Sequence, residues 1–288
     1  MLLSADMGFG KSTIVSNIVC ADPMSIWYSI RQQVLVYHIC RYDVISSSKP
    51  EVFIRNLAGA VVRDIPEIGN AILSDDMALD FLYGKCSIDP VACLEFSVLN
   101  KLKYKNDARK YLIIIDAIDE CETSGGTDLV DLLYKKIPFF PDNFQFLITS
   151  RNIERLLYKF KELEHTDLQL YEQQNLQDIR LYLEKTKQMT NEEIVKFTKI
   201  SGRNFLHVKL YLQYCKDLIT AVCDVIPESL EKIYILNFER VFGKKGDLFE
   251  EFICIFEVLC SLQNSINENK LFNVAGLRSK EKEKHHVC

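Results

Sequence analysis

Runs that are apolar at nearly every position punctuate the first part of this chain. QVLVYHIC (Gln33 to Cys40), YLIII before Asp116 and FQFLI before Thr149 are short and rich in β-branched and aromatic residues, so they predict buried strands. A shorter run, LLS, precedes a glycine-containing loop at the very start. DLQLYE (Asp167 to Glu172) predicts a fifth strand. Between these runs the period changes to that of a helix. PEVFIRNLAGAVVRDI places Val52, Phe53, Leu57, Ala60 and Val61 at helical spacing, with Pro50 suited to its first turn. The stretch from Glu67 to Leu102 reads as further helix, broken at DDM and YGKCSIDP. Strands that are apolar throughout and alternate with helices predict an α/β fold with a parallel sheet covered on both faces.

Beyond about residue 172 only helical spacing remains. NLQDIRLYLEKTK, NEEIVKFTKIS and RNFLHVKLYLQYCKDL are amphipathic, and Asn175 and Asn191 are expected to cap the first two. ESLEKIYILNFERVF, FEEFICIFEVLCSLQ and NENKLFNVAGL follow. The chain closes on a charged tail, RSKEKEKHHVC, whose His285, His286 and Cys288 fit no zinc spacing and read as an unstructured terminus.

In open parallel sheets, ligands bind beyond the carboxyl ends of the strands. Three of the predicted strands end in polar groups there. The first runs into Ala5, Asp6, Met7, Gly8, Phe9, Gly10, Lys11, Ser12 and Thr13, which follow the pattern of a phosphate-binding loop except that Ala5 stands where glycine is usual. Gly8 and Gly10 permit the sharp turn, Lys11 is placed for the β- and γ-phosphates, and Ser12 for Mg²⁺. The bland alternative is a turn with a chance lysine, but an apolar stretch before it and a helical run from Ser12 to Val19 favour the loop. Asp116, after five apolar residues, would hold Mg²⁺ directly or through water. Asp119 and Glu120 are candidates to orient or deprotonate a water, Asp119 ahead of Glu120; alternatively they merely start a helix. Arg151 is placed to sense and stabilise γ-phosphate charge.

The chain has 288 residues, enough for about two domains, and its net charge of −5 with scattered basic residues argues against a nucleic-acid partner. Ten cysteines occur without a CxxC pair, and most lie in apolar runs such as FICIFEVLC. They are therefore expected to be free, buried thiols in a reducing cytoplasm. No signal peptide or membrane span is legible.

ADMGFGKST, YLIIIDAIDEC and FLITSRN, in that order, resemble the three core motifs of STAND-class P-loop ATPases, and within them the NACHT branch. Ala117 after Asp116, with the acids delayed to Asp119 and Glu120, resembles the NACHT arrangement. VLVYHICR, the Pro50 helix and GRNFLHVKLYL are similar to animal proteins of the TANC, nephrocystin-3 and ankyrin-repeat-domain-50 type. The resemblance implies a five-stranded sheet with the Arg151 strand between the loop strand and the Asp116 strand. It implies a core over 1–172 with a truncated first strand, a helical lid over 173–225, a partial winged-helix-like region over 226–277 and a charged tail over 278–288. A proline expected in the lid turn is missing from SGRNFL.

The resemblance further implies ATP or ADP with Mg²⁺ as cofactors, ATP preferred over GTP because no Asn-Lys-x-Asp run follows Asp116. It also implies protein partners bound through flanking repeats, self-association controlled by nucleotide, and a chain that is a fragment of a longer protein. Two functions stay open. One is an ATP-binding, slowly hydrolysing signalling switch that controls assembly. The other is a scaffold that keeps the nucleotide as a structural ligand. A small-molecule kinase is a weaker third.

Overall fold

The computed structural model describes residues 1–103, 109–122, 128–186, 190–201, 204–217, 227–243, 246–262 and 268–275. The chain divides into two compact units, Met1–Leu170 and Tyr171–Cys288. The tail carrying His285, His286 and Cys288 lies outside the described residues, as do Gly202 and Arg203 of SGRNFL.

The first unit is built on a five-stranded sheet: β1 (Leu2–Ser4), β2 (Val34–Ile39), β3 (Tyr111–Asp116), β4 (Phe144–Ser150) and β5 (His165–Asp167), in the order β2-β3-β4-β1-β5. All its pairings are parallel. The strand bearing Arg151 at its end thus lies between the loop strand and the Asp116 strand, as the resemblance implies. The fifth strand differs from expectation. It is His165–Asp167, paired with β1, and Leu168–Leu170 of the apolar run form a 3₁₀ turn instead.

Alternation along β3 explains how the sheet is covered on both faces. Ile113 and Ile115 enter a large cluster with Phe53, Ile54 and Leu57 of the helix Pro50–Asp64 and with Leu129, Leu132 and Leu133 of the helix Leu129–Lys136. Ile114, between them, enters a second cluster on the opposite face with Val15 and Ile18 of α1 (Lys11–Val19). Phe146 and Ile148 against Leu147 repeat the division in β4. Each side chain so buried contributes about 1.5–3 kcal/mol, which is why a continuous apolar run suits a central strand. At the edge, β2 reverts to partial exposure, with Tyr37 and Ile39 turned out. From Pro66 to Leu102 the chain is a series of short helices, interrupted near the breaks the sequence suggests.

In the second unit Ile179 and Leu183 of the helix Glu172–Thr186 pack with Ile194 and Phe197 of Asn191–Ile200 and with Val208 and Tyr211 of Phe205–Asp217. The expected asparagine caps are not found. Thr190 caps its helix, its hydroxyl accepting from the Glu193 N–H while the Glu193 carboxylate accepts from the Thr190 N–H. Asn175 lies inside the first helix. Threonine followed three residues later by glutamate closes both bonds at once, which a lone asparagine cannot do.

The cysteines also depart from expectation. Cys40 bonds to Cys121 and Cys86 to Cys93. Cys254 and Cys260, in FICIFEVLC, are free but exposed. Spacing along the chain cannot reveal pairs that strand adjacency brings together; Ile39, beside Cys40, is level with Asp116, five residues before Cys121. Among the described residues, no helix is long and apolar enough to cross a membrane.

Candidate functional site

Parallel pairing sets the ends of β1, β3 and β4 along one edge of the sheet. Ser4 is level with Ser150, and Ile115 with Ile148, so Asp116 and Thr149 emerge side by side. The loop, the acids and Arg151 grow from these three ends.

Ala5 is fully buried and its N–H donates to Ser150 O at 3.3 Å. Its backbone lies outside the left-handed region, which in this loop is taken only by Gly8 (φ 90°) and Gly10 (φ 86°). Alanine at position 5 is therefore compatible with the turn, whereas a Cβ at 8 or 10 would be strained. Gly10 caps α1 without a side-chain oxygen, so its first-turn N–H groups receive no side-chain bond from the cap. Ser12 and Thr13 stand exposed on that turn, and Asp6 and Met7 are exposed in the loop beside half-buried Phe9.

Lys11 folds back over its own loop, Nζ donating to Ala5 O (2.7 Å) and Asp6 O (3.0 Å). Desolvation holds its pKa below the ordinary lysine value; Asp119 works against that shift, Arg151 adds to it, and Asp116 and Asp6 again oppose it. The ammonium therefore feels Asp119, Arg151, Asp116 and Asp6 together. A half-buried cation with lowered pKa gains from an incoming anion.

Asp116 is 4% exposed. Thr149 Oγ1 donates to its Oδ1 at 2.5 Å and accepts the Ala117 N–H at 2.8 Å. Ala117 is the only non-glycine with positive φ (56°) among the described residues. This kink throws the chain into the turn Ile118–Cys121 and carries Asp119 and Glu120 to β4. There Arg151 meets both: its N–H donates to Asp119 Oδ1 (3.2 Å), Nε lies 3.1 Å from Asp119 Oδ2, and its terminal nitrogen 3.4 Å from Glu120 Oε1. The Asp119 side chain is 5% exposed and that of Arg151 49%. Glu120 also accepts the Tyr42 N–H at 3.2 Å. Arg151 is thus engaged by the two acids rather than extended alone over the loop.

Thr149, Gln169 and Asn152 complete the arrangement and were not singled out from the sequence. Gln169 Nε2 donates to Asp6 Oδ2 at 2.9 Å, and Asn152 donates to Gln169 Oε1 and to Asp167 Oδ2 (3.2 Å). Thr149 carried a signal in being a hydroxyl closing an apolar strand; Gln169 carried none. Lys11, Gly8 and Gly10 suit the phosphates of a nucleotide, and buried Asp116 with exposed Ser12 offers the hard oxygen donors that Mg²⁺ takes.

The family model described as Nephrocystin 3, N-terminal, matches residues 1–151, just over half of the chain and every candidate residue named from the loop to Arg151. No curated protein matches the chain.

Proposed function

The chain belongs to the family described as Nephrocystin 3, N-terminal, and on that premise we propose that it is a nucleotide-dependent switch of the NACHT type, a P-loop protein of the STAND class that binds ATP and hydrolyses it slowly in the cytoplasm. The reading rests on one observation. Lys11, Asp116 and the Asp119–Glu120–Arg151 group grow from three strand ends that the parallel sheet sets side by side, and Asp116, Asp119 and Arg151 all act on the Lys11 ammonium.

Residues 5–13 would hold the phosphates, and Ser12 and Asp116 the Mg²⁺ ion. ATP supplies the phosphoanhydride to be cleaved. Lys11 exchanges its two loop carbonyls for phosphate oxygens, which relieves its desolvation. Thr149 keeps Asp116 aimed by donating to it. Asp119, held by Arg151, is placed to take the proton of an attacking water once the guanidinium turns to the phosphate charge. The helices of the second unit are read as a lid leading into a winged-helix-like region, and output is self-association or exposure of a partner surface.

The ion pairs of Arg151 favour a second reading, a scaffold that retains nucleotide without turnover, because both acids are engaged by the guanidinium instead of facing an attacking water. Titration with a fluorescent ATP analogue and Mg²⁺, with phosphate release followed in parallel, tests both. Lys11→Ala removes charge-assisted bonds and is expected to weaken binding by about 1.5–3 kcal/mol, roughly ten- to a hundredfold in Kd. A folded wild-type protein that does not bind refutes the nucleotide site. Release that is unchanged in an Asp119→Asn, Glu120→Gln double variant refutes the catalytic roles, and binding without any release supports the scaffold.

A further inference from the structure

The Cys40–Cys121 bridge joins two segments that both serve the acid turn. Cys40 directly follows β2, and its N–H donates to Asp116 O at 2.9 Å. Two residues on, the Tyr42 N–H holds Glu120. Cys121 closes the turn that carries Asp119 and Glu120. The two cysteines are 81 residues apart in sequence, with Cα atoms 5.2 Å apart, and both are buried.

The surroundings also accommodate the reduced pair. Ser47 O lies 3.1 Å from Cys121 Sγ, where a thiol would donate its proton, and it also accepts from His38 Nε2 at 2.7 Å. Ser47 is itself fixed, its hydroxyl accepting the Arg41 N–H and sharing its one proton between Arg41 O (2.9 Å) and Val44 O (2.8 Å). A buried thiol at 121 would thus find its acceptor already in place.

We propose that Cys40 and Cys121 form a thiol–disulfide latch on the acid turn. Oxidised, the covalent link pins the turn, and with it Asp119 and Glu120 against Arg151, to the end of β2. Reduced, hydrogen bonds and packing alone retain the turn, and the acids part from Arg151 more often. A low-molecular-weight disulfide such as oxidised glutathione is the oxidant. One cysteine thiolate attacks it, forming a mixed disulfide and expelling one glutathione thiolate. The other cysteine attacks the protein sulfur of that mixed disulfide, forming the Cys40–Cys121 bond and expelling the second. Two electrons pass to glutathione, and the two cysteine protons end on its thiols. Burial of both sulfurs makes exchange depend on opening of the turn, so it is slow. The latch acts on the turn itself and stands whether or not a nucleotide binds.

Hydrogen exchange read by mass spectrometry on peptides covering residues 117–122 tests it without nucleotide. The full chain is equilibrated with oxidised glutathione or with dithiothreitol. Exchange several-fold faster on reduction is expected, with that dependence lost in Cys40→Ala. It should persist in a Cys86→Ala, Cys93→Ala variant, whose bridge spans only seven residues. Equal exchange in both redox states overturns the latch. Should Cys40→Ala not fold, disulfide mapping of the wild type decides: a Cys40–Cys121 peptide that forms with oxidised glutathione and disappears with dithiothreitol supports it, and its absence after oxidation overturns it. Stoichiometric zinc retained by the reduced protein and lost in His38→Ala would also overturn it, since the His38, Cys40 and Cys121 donor atoms lie within 4.8 Å of one another and would then form a metal centre.

Discussion

Thr149→Val tests the joint between β3 and β4 with almost no change of shape. Thr149 is fully buried, donates to the Asp116 carboxylate at 2.5 Å and accepts the Ala117 N–H at 2.8 Å. The loss of a bond to a charged group costs about 1.5–3 kcal/mol. A stranded N–H costs about 1–3 kcal/mol more, and here it belongs to a residue already in the left-handed region. Valine's additional apolar burial offsets at most about 1 kcal/mol, and water reaching half-exposed Ala117 lessens the second loss. The expected net destabilisation is about 2–4 kcal/mol. Two compact units need not unfold together, so the probe must report on the first alone. Trp27 does so: it is the only tryptophan and packs against the cluster of Leu3, Val15, Ile18, Ile114 and Leu147. With a urea slope of about 2 kcal/mol per M, its fluorescence midpoint should fall by about 1–2 M. Thr149→Ser, which keeps the hydroxyl, should move less. A Thr149→Val midpoint within about 0.25 M of wild type would refute the assigned role of these bonds.

Gly69→Ala would place a Cβ 2.8 Å from Val62 Cα and O, both backbone atoms, so the helices Pro50–Asp64 and Pro66–Leu73 must separate. A loss of about 1–3 kcal/mol is expected in the same urea assay, and an unchanged midpoint would contradict the close approach. Burial lowers the pKa of His38 and His207, although hydrogen bonds to backbone oppose it in each. Above pH 6.5 both are neutral folded and unfolded. Below it the unfolded chain takes up protons first, so stability falls with pH by at most about 1.4 kcal/mol per histidine between pH 6.5 and 5.5. The carboxylates with depressed pKa, among them Glu193 and Asp75, contribute only below their ordinary range, whereas the Met1 ammonium, whose pKa burial also lowers from 8.0, adds a loss of the same sign as pH falls below that value. Thermal melting that is flat from pH 7.5 to 5.5 would rule this out. Thr190→Ala removes one side of a capping box and is expected to cost about 1 kcal/mol in the second unit, read by helical circular dichroism during melting.

The sequence by itself determined the elements whose burial is local and complete. β3 and β4 were legible because a strand covered on both faces must be apolar at nearly every position, and β2, half-exposed at the sheet edge, through its β-branched and aromatic run. The loop was legible because only glycine tolerates the backbone at positions 8 and 10. Periodicity says nothing about which strands become neighbours, and the strand order came from the motif resemblance instead. β5 was placed too late in the chain because a three-residue edge strand needs no apolar run; it exists through its pairing with β1. Tertiary structure alone decided the rest. The parallel register of β3 and β4 set Thr149 beside Asp116 and turned Arg151 toward Asp119 and Glu120, and the adjacency of β2 and β3 joined cysteines 81 residues apart. Local sequence encodes what each segment buries, whereas ion pairs, bridges and buried hydroxyl bonds depend on which strand ends the sheet brings together.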